Sequence, residues 1–420
     1  MEQFNLTLAC LGGLIFLLGL ASARLEHMAF SATLASLIAG IVLGPAVLGA
    51  FDVSVLQREP EVLEDLARIT LAVALAGVAM RIPRGYAVRY WRPMSLLVVL
   101  AMPLMWIIST ALVFLFLDLG LLRSALVAAI VTPTDPVASA AVVTGAPGLK
   151  HIPERLRHAI SLESGANDGL AYPFVLLPLL LLTRGEADAW SEWLTKVWLY
   201  EIGLAVLLAP VMGYTAAKLI LWAQEKKTIL ESWRCVYVLS VAFFSAGAGG
   251  LIGCNEILLV FLTCLVFSQV VSDKESIDHG ATIEAVNRYF SIPIFAVIGM
   301  LIPWEGWRAL GWRGAGMIVA LLLLRRMPVL LLLRPMIGNV RSIPDALLMG
   351  WFGPVAVAAL YYTALVEQRL ADPRIWHVAS LVICASALVH GISAAPLTNL
   401  YGRHSERAKR RESGKPASSE

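Results

Sequence analysis

Charged residues are scarce in this sequence. Only 15% of its 420 residues are Asp, Glu, Lys or Arg, whereas 58% are hydrophobic. An average soluble domain is about 25% charged. Outside the C-terminal end no long polar stretch is left that could form a separate soluble domain. Repeated apolar runs, each near the roughly 20 residues that cross a bilayer, predict an all-α polytopic membrane protein instead.

Two other features are missing. The five cysteines form no C-x-x-C motif and lie in or beside apolar runs, which argues against a disulfide framework and a zinc site. The first apolar run has no Lys or Arg before it. Residues 21–23 resemble a signal-cleavage site, but a signal peptide needs a positive leading region. We therefore expect residues 5–23 to be a retained first span.

The apolar runs predict about thirteen transmembrane helices. Lys and Arg concentrate in alternate loops, so the positive-inside rule places the N-terminus outside, the C-terminus in the cytoplasm and the chain in the cell membrane. We expect one transmembrane domain over residues 1–402 and a short, basic, disordered cytoplasmic tail over 403–420. The predicted spans are 5–23, 28–50, 66–80, 93–117, 124–145, 158–183, 198–222, 235–250, 255–272, 289–303, 314–333, 343–366 and 375–400.

Two of these spans contain helix-breaking motifs. Residues 132–136 read TPTDP in the fifth span, and residues 350–354 read GWFGP in the twelfth. Proline removes a backbone donor, so both helices should break near mid-membrane; a plain proline kink is the alternative for either site alone. Paired broken segments favour a transporter built from inverted repeats. The odd offset of seven spans predicts repeats over about 5–183 and 235–400, with linker helix 198–222.

The sixth span carries polar residues at helical spacing. Ser164 and Asp168 are four residues apart and share one face, where they offer hard oxygen ligands suited to a small alkali cation. Glu163 and Asn167 share the adjacent face, where the carboxylate could pair with a membrane-embedded arginine. A charged side chain at the bilayer centre costs roughly 3 kcal/mol or more, so such residues usually mark an ion path.

The broken fifth span completes a possible ion site. Where it unwinds at Thr134 and Asp135, free carbonyls can coordinate a cation and Asp135 can offset helix N-terminal ends. The alternative is that Asp135 is only an N-cap. Burial favours the neutral form of a carboxylate and a nearby cation favours the charged form. We therefore expect Asp168 to hold either a proton or a cation, whereas an arginine would keep Glu163 ionised.

These motifs resemble the monovalent cation:proton antiporter superfamily, in its NhaP/NHE-like branch. The matching pieces are residues 134–136 (TDP), residues 163–168 (ESGAND), an arginine of the eleventh span and the break of the twelfth. Residues 324–329 (LRRMPV), together with 350–355 (GWFGPV), look especially like yeast plasma-membrane sodium/proton antiporters and their bacterial relatives.

The resemblance implies a fold, a partner and an activity. The fold would be thirteen helices in two inverted six-helix repeats with crossed broken helices. The partner would be a second copy of the chain, and no nucleic acid would bind. Transport would proceed by elevator-like alternating access. The activity would be secondary transport rather than enzyme catalysis, with no cofactor beyond the transported Na⁺ (or Li⁺, or K⁺) and H⁺. The Asn167-Asp168 pair implies electroneutral exchange.

The resemblance also implies the ligands of the cation. Asp168 would be the ion- and proton-binding carboxylate, helped by Ser164, Thr134 and Asp135. Of these, Asp168, Ser164 and Thr134 would contact the Na⁺ ion.

Four further residues would support the site. Asn167 would brace the crossed broken helices, and Glu163 would pair with an arginine of the eleventh span. Arg325 and Arg326 are about 100° apart on a helix, so only one should face Glu163. We favour Arg326.

The sequence departs from many relatives at two places. Several relatives carry a carboxylate in the third span, and residues 66–80 contain none. Many bacterial relatives have an arginine where Pro354 stands. The cation is therefore open: a K⁺/H⁺ antiporter, or a pH-insensitive cation channel or uptake carrier on the same fold, is the alternative to Na⁺/H⁺ exchange.

Two other polar residues receive ordinary interpretations. His390 should be a satisfied core histidine rather than a pH sensor. Glu256 should be a solvated residue at a helix start. An intramembrane hydrolase using Ser164 with His390 is disfavoured, because Ser164 lacks a G-x-S-x-G context and its own span offers no base.

Overall fold

The protein is built entirely from helices. The computed structural model describes residues 2–27, 31–50, 53–271 and 273–412, and these ranges contain no strand. The helices are α1 Glu2–His27, α2 Ala32–Leu43, α3 Ser54–Arg58, α4 Pro60–Met80, α5 Tyr86–Arg89, α6 Trp91–Leu96, α7 Met102–Phe116, α8 Leu121–Ile130, α9 Pro136–Val143, α10 Ala146–His151, α11 Glu154–Leu170, α12 Tyr172–Thr183, α13 Glu186–Glu192, α14 Gly203–Glu225, α15 Trp233–Ile252, α16 Glu256–Val270, α17 Asp273–Met300, α18 Trp304–Leu324, α19 Met327–Leu333, α20 Ile343–Trp351, α21 Val357–Glu367 and α22 Pro373–Glu412.

Three helical segments of other types join or follow these elements. The π-helical segments Leu97–Ala101 and Trp193–Ile202 connect α6 to α7 and α13 to α14. A 3-10 turn, Arg334–Met336, follows α19.

Length and composition confirm a multi-span helical membrane protein. Within the described ranges seven helical stretches are long and apolar enough to cross a bilayer, and five shorter apolar helices accompany them. The predicted number of thirteen spans does not follow from helix length alone. The long stretches are Trp91–Phe116, Glu154–Thr183, Glu186–Glu225, Trp233–Ile252, Thr282–Met300, Trp304–Met336 and Pro373–Glu406.

The fifth and twelfth predicted spans are interrupted where proline predicts it. α8 ends at Ile130 and α9 begins at Pro136, so the stretch between them is not helical. α20 ends at Trp351 and α21 begins at Val357 in the same manner. Because proline cannot donate to the helical ladder, each half-helix exposes backbone groups at its inner end.

Small side chains let the helices around these breaks approach closely. Every residue of α4 from 70 to 80 is buried, and α4 packs against α16, α17 and α21. Where α2 crosses α17, a Cβ on Gly40 or Gly299 would overlap the facing backbone. Close approach through small residues is the usual way helices pack in a bilayer. It leaves α11 and both breaks enclosed by other helices.

Three sequence predictions need correction. The helix predicted at 198–222 belongs to one continuous stretch, Glu186–Glu225, because its first part is an amphipathic, aromatic-rich region that hydropathy assigns to a loop. The eleventh span is not one helix: α18 ends at Leu324, and α19 restarts with Pro328 in its first turn. The first part of the predicted disordered tail is helical, because α22 continues to Glu412 through good helix formers. Residues 413–420 lie outside the described residues.

Candidate ion-binding site

The two non-helical stretches touch each other at the centre of the fold. The backbone N–H of Asp135 donates to the carbonyl of Pro354 at 2.8 Å. Asp135 and the residues around it, Thr132, Thr134 and Ser139, are all buried. Four half-helix ends therefore meet in one place, and their unpaired backbone groups need partners.

Asp135 supplies the partners for the two N-terminal ends. One carboxylate oxygen accepts from the N–H groups of Val137 and Ala138, at 2.7 and 3.1 Å. The other accepts from Val357 and Ala358, at 2.5 and 3.2 Å. A single carboxylate thus caps α9 and α21 together, where the helix dipoles favour negative charge. The structure places Asp135 in the N-cap position that the sequence offered as the alternative to ion binding.

Arg325 supplies the partners for the two C-terminal ends. Its guanidinium donates to the carbonyl of Val131, directly after α8, and to the carbonyl of Gly353, shortly after α20. A cation is favoured at helix C-termini for the same electrostatic reason that an anion is favoured at N-termini. The sequence did not predict this role for Arg325. Its signal was the pair of adjacent arginines inside an apolar run.

Glu163 and Arg326 form a buried ion pair. The guanidinium contacts the two carboxylate oxygens at 2.8 and 2.6 Å. The side chain of Arg326 is only 2% exposed and that of Glu163 only 4%. The Nε of Arg326 also donates to the carbonyl of Met349 at 3.0 Å. The bidentate geometry is the strong form of this interaction. Arg326, rather than Arg325, is thus the partner of Glu163, because the helix break lets the two arginines face different groups.

Asn167 connects the ion pair to the broken helix. Its amide nitrogen donates to Thr134 Oγ1 at 2.8 Å and lies 3.2 Å from Glu163 Oε1. Its amide oxygen accepts from the Thr134 backbone N–H at 3.1 Å. The Thr134 hydroxyl lies 3.1 Å from the hydroxyl of Ser164. These bonds fix the extended stretch against α11 and turn two hydroxyl oxygens toward one region.

Asp168 lies in this region without a partner. Its side chain is fully buried, and neither carboxylate oxygen accepts a hydrogen bond from any group in the described part of the chain. Its backbone carbonyl accepts from the Tyr362 hydroxyl, which holds α11 against α21 at this level. A buried carboxylate without donors is costly unless a proton or a cation neutralises it. Asp168 is therefore the group in this cluster that is poised to bind one.

The two polar residues outside the cluster have different outcomes. His390 is buried and satisfied: Nδ1 lies 2.9 Å from the Ser386 carbonyl and Nε2 lies 2.9 Å from the Trp351 carbonyl. The prediction of a core histidine is confirmed. The prediction that Glu256 is solvated is wrong, because it is 8% exposed and contacts Arg68 and Tyr361, each at 3.3 Å. It begins α16 as predicted, after the N-cap Asn255.

Comparison with known proteins identifies the family of this membrane protein. The chain belongs to the sodium/hydrogen exchanger family, whose transmembrane region matches residues 12–400. The resemblance to the monovalent cation:proton antiporter superfamily that the motifs indicated is thereby confirmed.

Two yeast antiporters are moderately similar in sequence to this chain. It is 27% identical over 423 residues to a probable Na(+)/H(+) antiporter of Schizosaccharomyces pombe, an alignment covering 93% of this chain and 56% of the relative. It is 28% identical over 438 residues to a Na(+)/H(+) antiporter of Saccharomyces cerevisiae, covering 96% and 44%. The chain thus spans about half the length of these two relatives.

A solved structure has the same fold. The sodium proton antiporter MjNhaP1 of Methanocaldococcus jannaschii superimposes with a TM-score of 0.74 over 95% of this chain and 100% of its own. The two sequences are 17% identical, so the likeness concerns the fold alone.

Proposed function

We propose that this protein is a secondary antiporter that exchanges cytoplasmic Na⁺ (or Li⁺) for external H⁺ at Asp168. The observation that carries the proposal is the buried carboxylate of Asp168, whose oxygens have no partner in the described structure. A carboxylate in this position binds a cation or a proton but not both well, since each removes the charge that attracts the other. Competition at one group, opened in turn to each side, is sufficient for coupled exchange.

The neighbouring oxygens suit a dehydrated alkali cation. The hydroxyls of Ser164 and Thr134 lie 3.1 Å apart on the side of α11 that carries Asp168. Together with Asp168 they offer hard oxygen ligands, as Na⁺ requires. Asp135 is not among the ligands we propose, because four backbone N–H groups occupy its carboxylate.

The proposed exchange is electroneutral. Glu163 is held by Arg326, and Asn167 carries no charge. Asp168 is then the group in the cluster whose charge can change during a cycle. One Na⁺ replacing one H⁺ at a single carboxylate moves no net charge.

We also propose the overall membrane topology from the positions of the two helix breaks. The pairs α8–α9 and α20–α21 correspond to each other seven predicted spans apart, which supports thirteen spans with inverted repeats over about 5–183 and 235–400. Residues 1–402 would form the transport domain and 403–420 a cytoplasmic tail. We further propose a homodimer in the cell membrane, with the N-terminus outside and elevator-like alternating access.

Purified protein in liposomes tests the function directly. A pH gradient is imposed, NaCl, LiCl or KCl is added outside, and the lumenal pH is followed. We expect Na⁺ and Li⁺ to collapse the gradient at a rate that valinomycin with K⁺ does not change. Asp168→Asn should abolish this response, and Glu192→Gln, at a partly buried surface pair, should not.

The other outcomes separate the alternatives. A response to KCl alone would indicate K⁺/H⁺ exchange. Cation flux that does not depend on pH would indicate a channel or uptake carrier. A gradient that none of these salts collapses would contradict the proposal as a whole.

A further inference from the structure

Glu201 is a buried carboxylate that the ion site does not use. It is 7% exposed, and its Oε2 has no hydrogen-bond partner in the described ranges. It lies in the π-helical segment Trp193–Ile202, between α13 and α14. π-helical segments are rare in proteins. A buried carboxylate oxygen without a donor likewise calls for an explanation.

Glu201 is joined to the ion site through the start of α16. The backbone N–H of Asn255 donates to the carbonyl of Glu201 at 3.0 Å. The side-chain amide of the same Asn255 donates to the carbonyl of Gly169 at 3.1 Å. Gly169 directly follows Asp168. Asn255 therefore bridges the segment that carries Glu201 and the helix that carries the unpartnered Asp168.

Tyr172 extends this connection along the helix. Ala171 has helical dihedral angles, φ −69° and ψ −24°, so the helical path continues from α11 into α12. Tyr172 is four residues after Asp168 and lies on the same face, about one turn further on. Its side chain faces Glu201 and Arg369. Tyr172 is therefore about one turn from Asp168 along this face and beside Glu201, which lies on a different helical segment.

The charges around Glu201 belong to one end of the molecule. Lys196 and Glu192 lie on its own helical stretch, and Arg369 follows the end of α21. Tyr172 faces it from α12, and Cys254 faces it from the turn before α16. The turn after α15 and the loop after α21 lie on the same side of the fold. In the proposed orientation this is the outer side.

We propose that Glu201 is a second proton-binding carboxylate, which takes protons from the outer solution and delivers them to Asp168. The Glu201 carboxylate gains a proton from external water and becomes the neutral acid. As the cation leaves Asp168, water reaches this carboxylate, whose oxygens have no hydrogen bond to the Tyr172 hydroxyl in the described structure. The hydroxyl accepts the proton of Glu201 on its oxygen and releases its own through that water to Asp168. Glu201 returns to the carboxylate and Asp168 becomes the neutral acid. The inference rests on the proposed exchange function.

Sidedness provides the test. Exchange is measured in right-side-out and in everted membrane vesicles from cells that express the full chain, with the bath pH varied in each. For Glu201→Gln in right-side-out vesicles we expect the half-activating bath pH to move by about one unit toward acid. In everted vesicles the dependence on bath pH should match the wild type. Glu225→Gln, an exposed residue at the other end of the same helical stretch, should shift neither.

A purely structural role gives a different result. It would lower the rate at every pH and in both orientations, without moving the half-activating pH. No shift in right-side-out vesicles, or equal shifts in both orientations, would overturn the inference. Should Glu201→Gln fail to fold, Tyr172→Phe carries the test, because it removes the relay hydroxyl and should produce a shift of the same sign. Glu201→Asp, which keeps a titratable group, should restore the wild-type pH dependence.

Failure of this inference is distinguishable from failure of the proposed function. If the wild type shows no cation-driven proton movement, the function is contradicted. If the wild type exchanges, Asp168→Asn does not, and Glu201→Gln keeps the wild-type pH dependence on both sides, only the role of Glu201 is contradicted.

Discussion

The buried ion pair between Glu163 and Arg326 should be far more sensitive to the loss of one partner than of both. Glu163→Gln leaves the guanidinium without its counter-charge at 2% exposure, and Arg326→Gln leaves the carboxylate at 4% exposure. Removing one partner of a buried pair typically costs about 3–5 kcal/mol, because the remaining charge is uncompensated. We expect each single variant to lose about that much unfolding free energy.

The double variant should lose much less than the sum of the two. Glu163→Gln combined with Arg326→Gln leaves no unpaired charge, and the two amides can still bond to each other. We expect a coupling energy of about 1.5 kcal/mol or more, within the range for residues in one hydrogen-bonded network. The assay is denaturant unfolding of the four proteins in detergent micelles.

A partly exposed pair offers the matched control. Arg184 and Glu192 contact at 3.1 Å with side chains 55% and 19% exposed. Solvent screening limits such pairs to about 0–1 kcal/mol, so the same four-protein cycle should give a small coupling there. Additive losses at Glu163 and Arg326 would refute the reasoning that this pair stabilises the site as a unit.

Three other perturbations have defined outcomes. Asp135→Ala removes the N-caps of α9 and α21 together and should cost about 2–4 kcal/mol in unfolding free energy. Ser31→Ala removes the single cap of α2 and should cost about 1 kcal/mol. Equal losses in the two variants would contradict the shared cap. Arg325→Met leaves the carbonyls of Val131 and Gly353 without their donor. The unfolding free energy, measured by the same assay, should fall by about 1–3 kcal/mol for each carbonyl. An unchanged unfolding free energy would show that these hydrogen bonds are not needed. In the loop before α22, hydrogen bonds from Arg374 and Arg123 lower the pKa of Asp372 from 3.8 to about 2, so the stability that the carboxylate contributes is present above pH 3.8 and is lost as the pH falls toward 2. In Asp372→Asn the melting temperature should therefore depend less on pH between 3.8 and 2. A pH dependence equal to that of the wild type would contradict this.

The sequence carried enough information for the helix breaks and the polar residues of the site. Proline at positions 133, 136 and 354 cannot donate to a helical ladder, so interruptions follow from local chemistry. The four-residue spacing of Ser164 and Asp168, and of Glu163 and Asn167, places them on faces that the structure retains. Membership of the family followed from the same residues.

The capping network could not be predicted from local sequence. Whether Asp135 binds an ion or caps helices depends on where α21 lies, more than two hundred residues away. The pairing of Arg326 with Glu163 agrees with the helical spacing, but the contacts of Arg325 with Val131 and Gly353 depend on the helix ending at Leu324. Hydropathy alone favours a continuous span there. Glu256 and Glu201 look like ordinary helix-surface carboxylates until the packing of α16 against α4 and α14 is known.

The central claim is that one buried carboxylate, Asp168, holds either a cation or a proton. The most direct measurement is proton release from detergent-solubilised protein in weak buffer when NaCl is added. We expect about one proton per chain from the wild type, since a single carboxylate exchanges its proton for Na⁺, and none from Asp168→Asn. Sodium binding without proton release by the wild type, or undiminished release from Asp168→Asn, would contradict the claim.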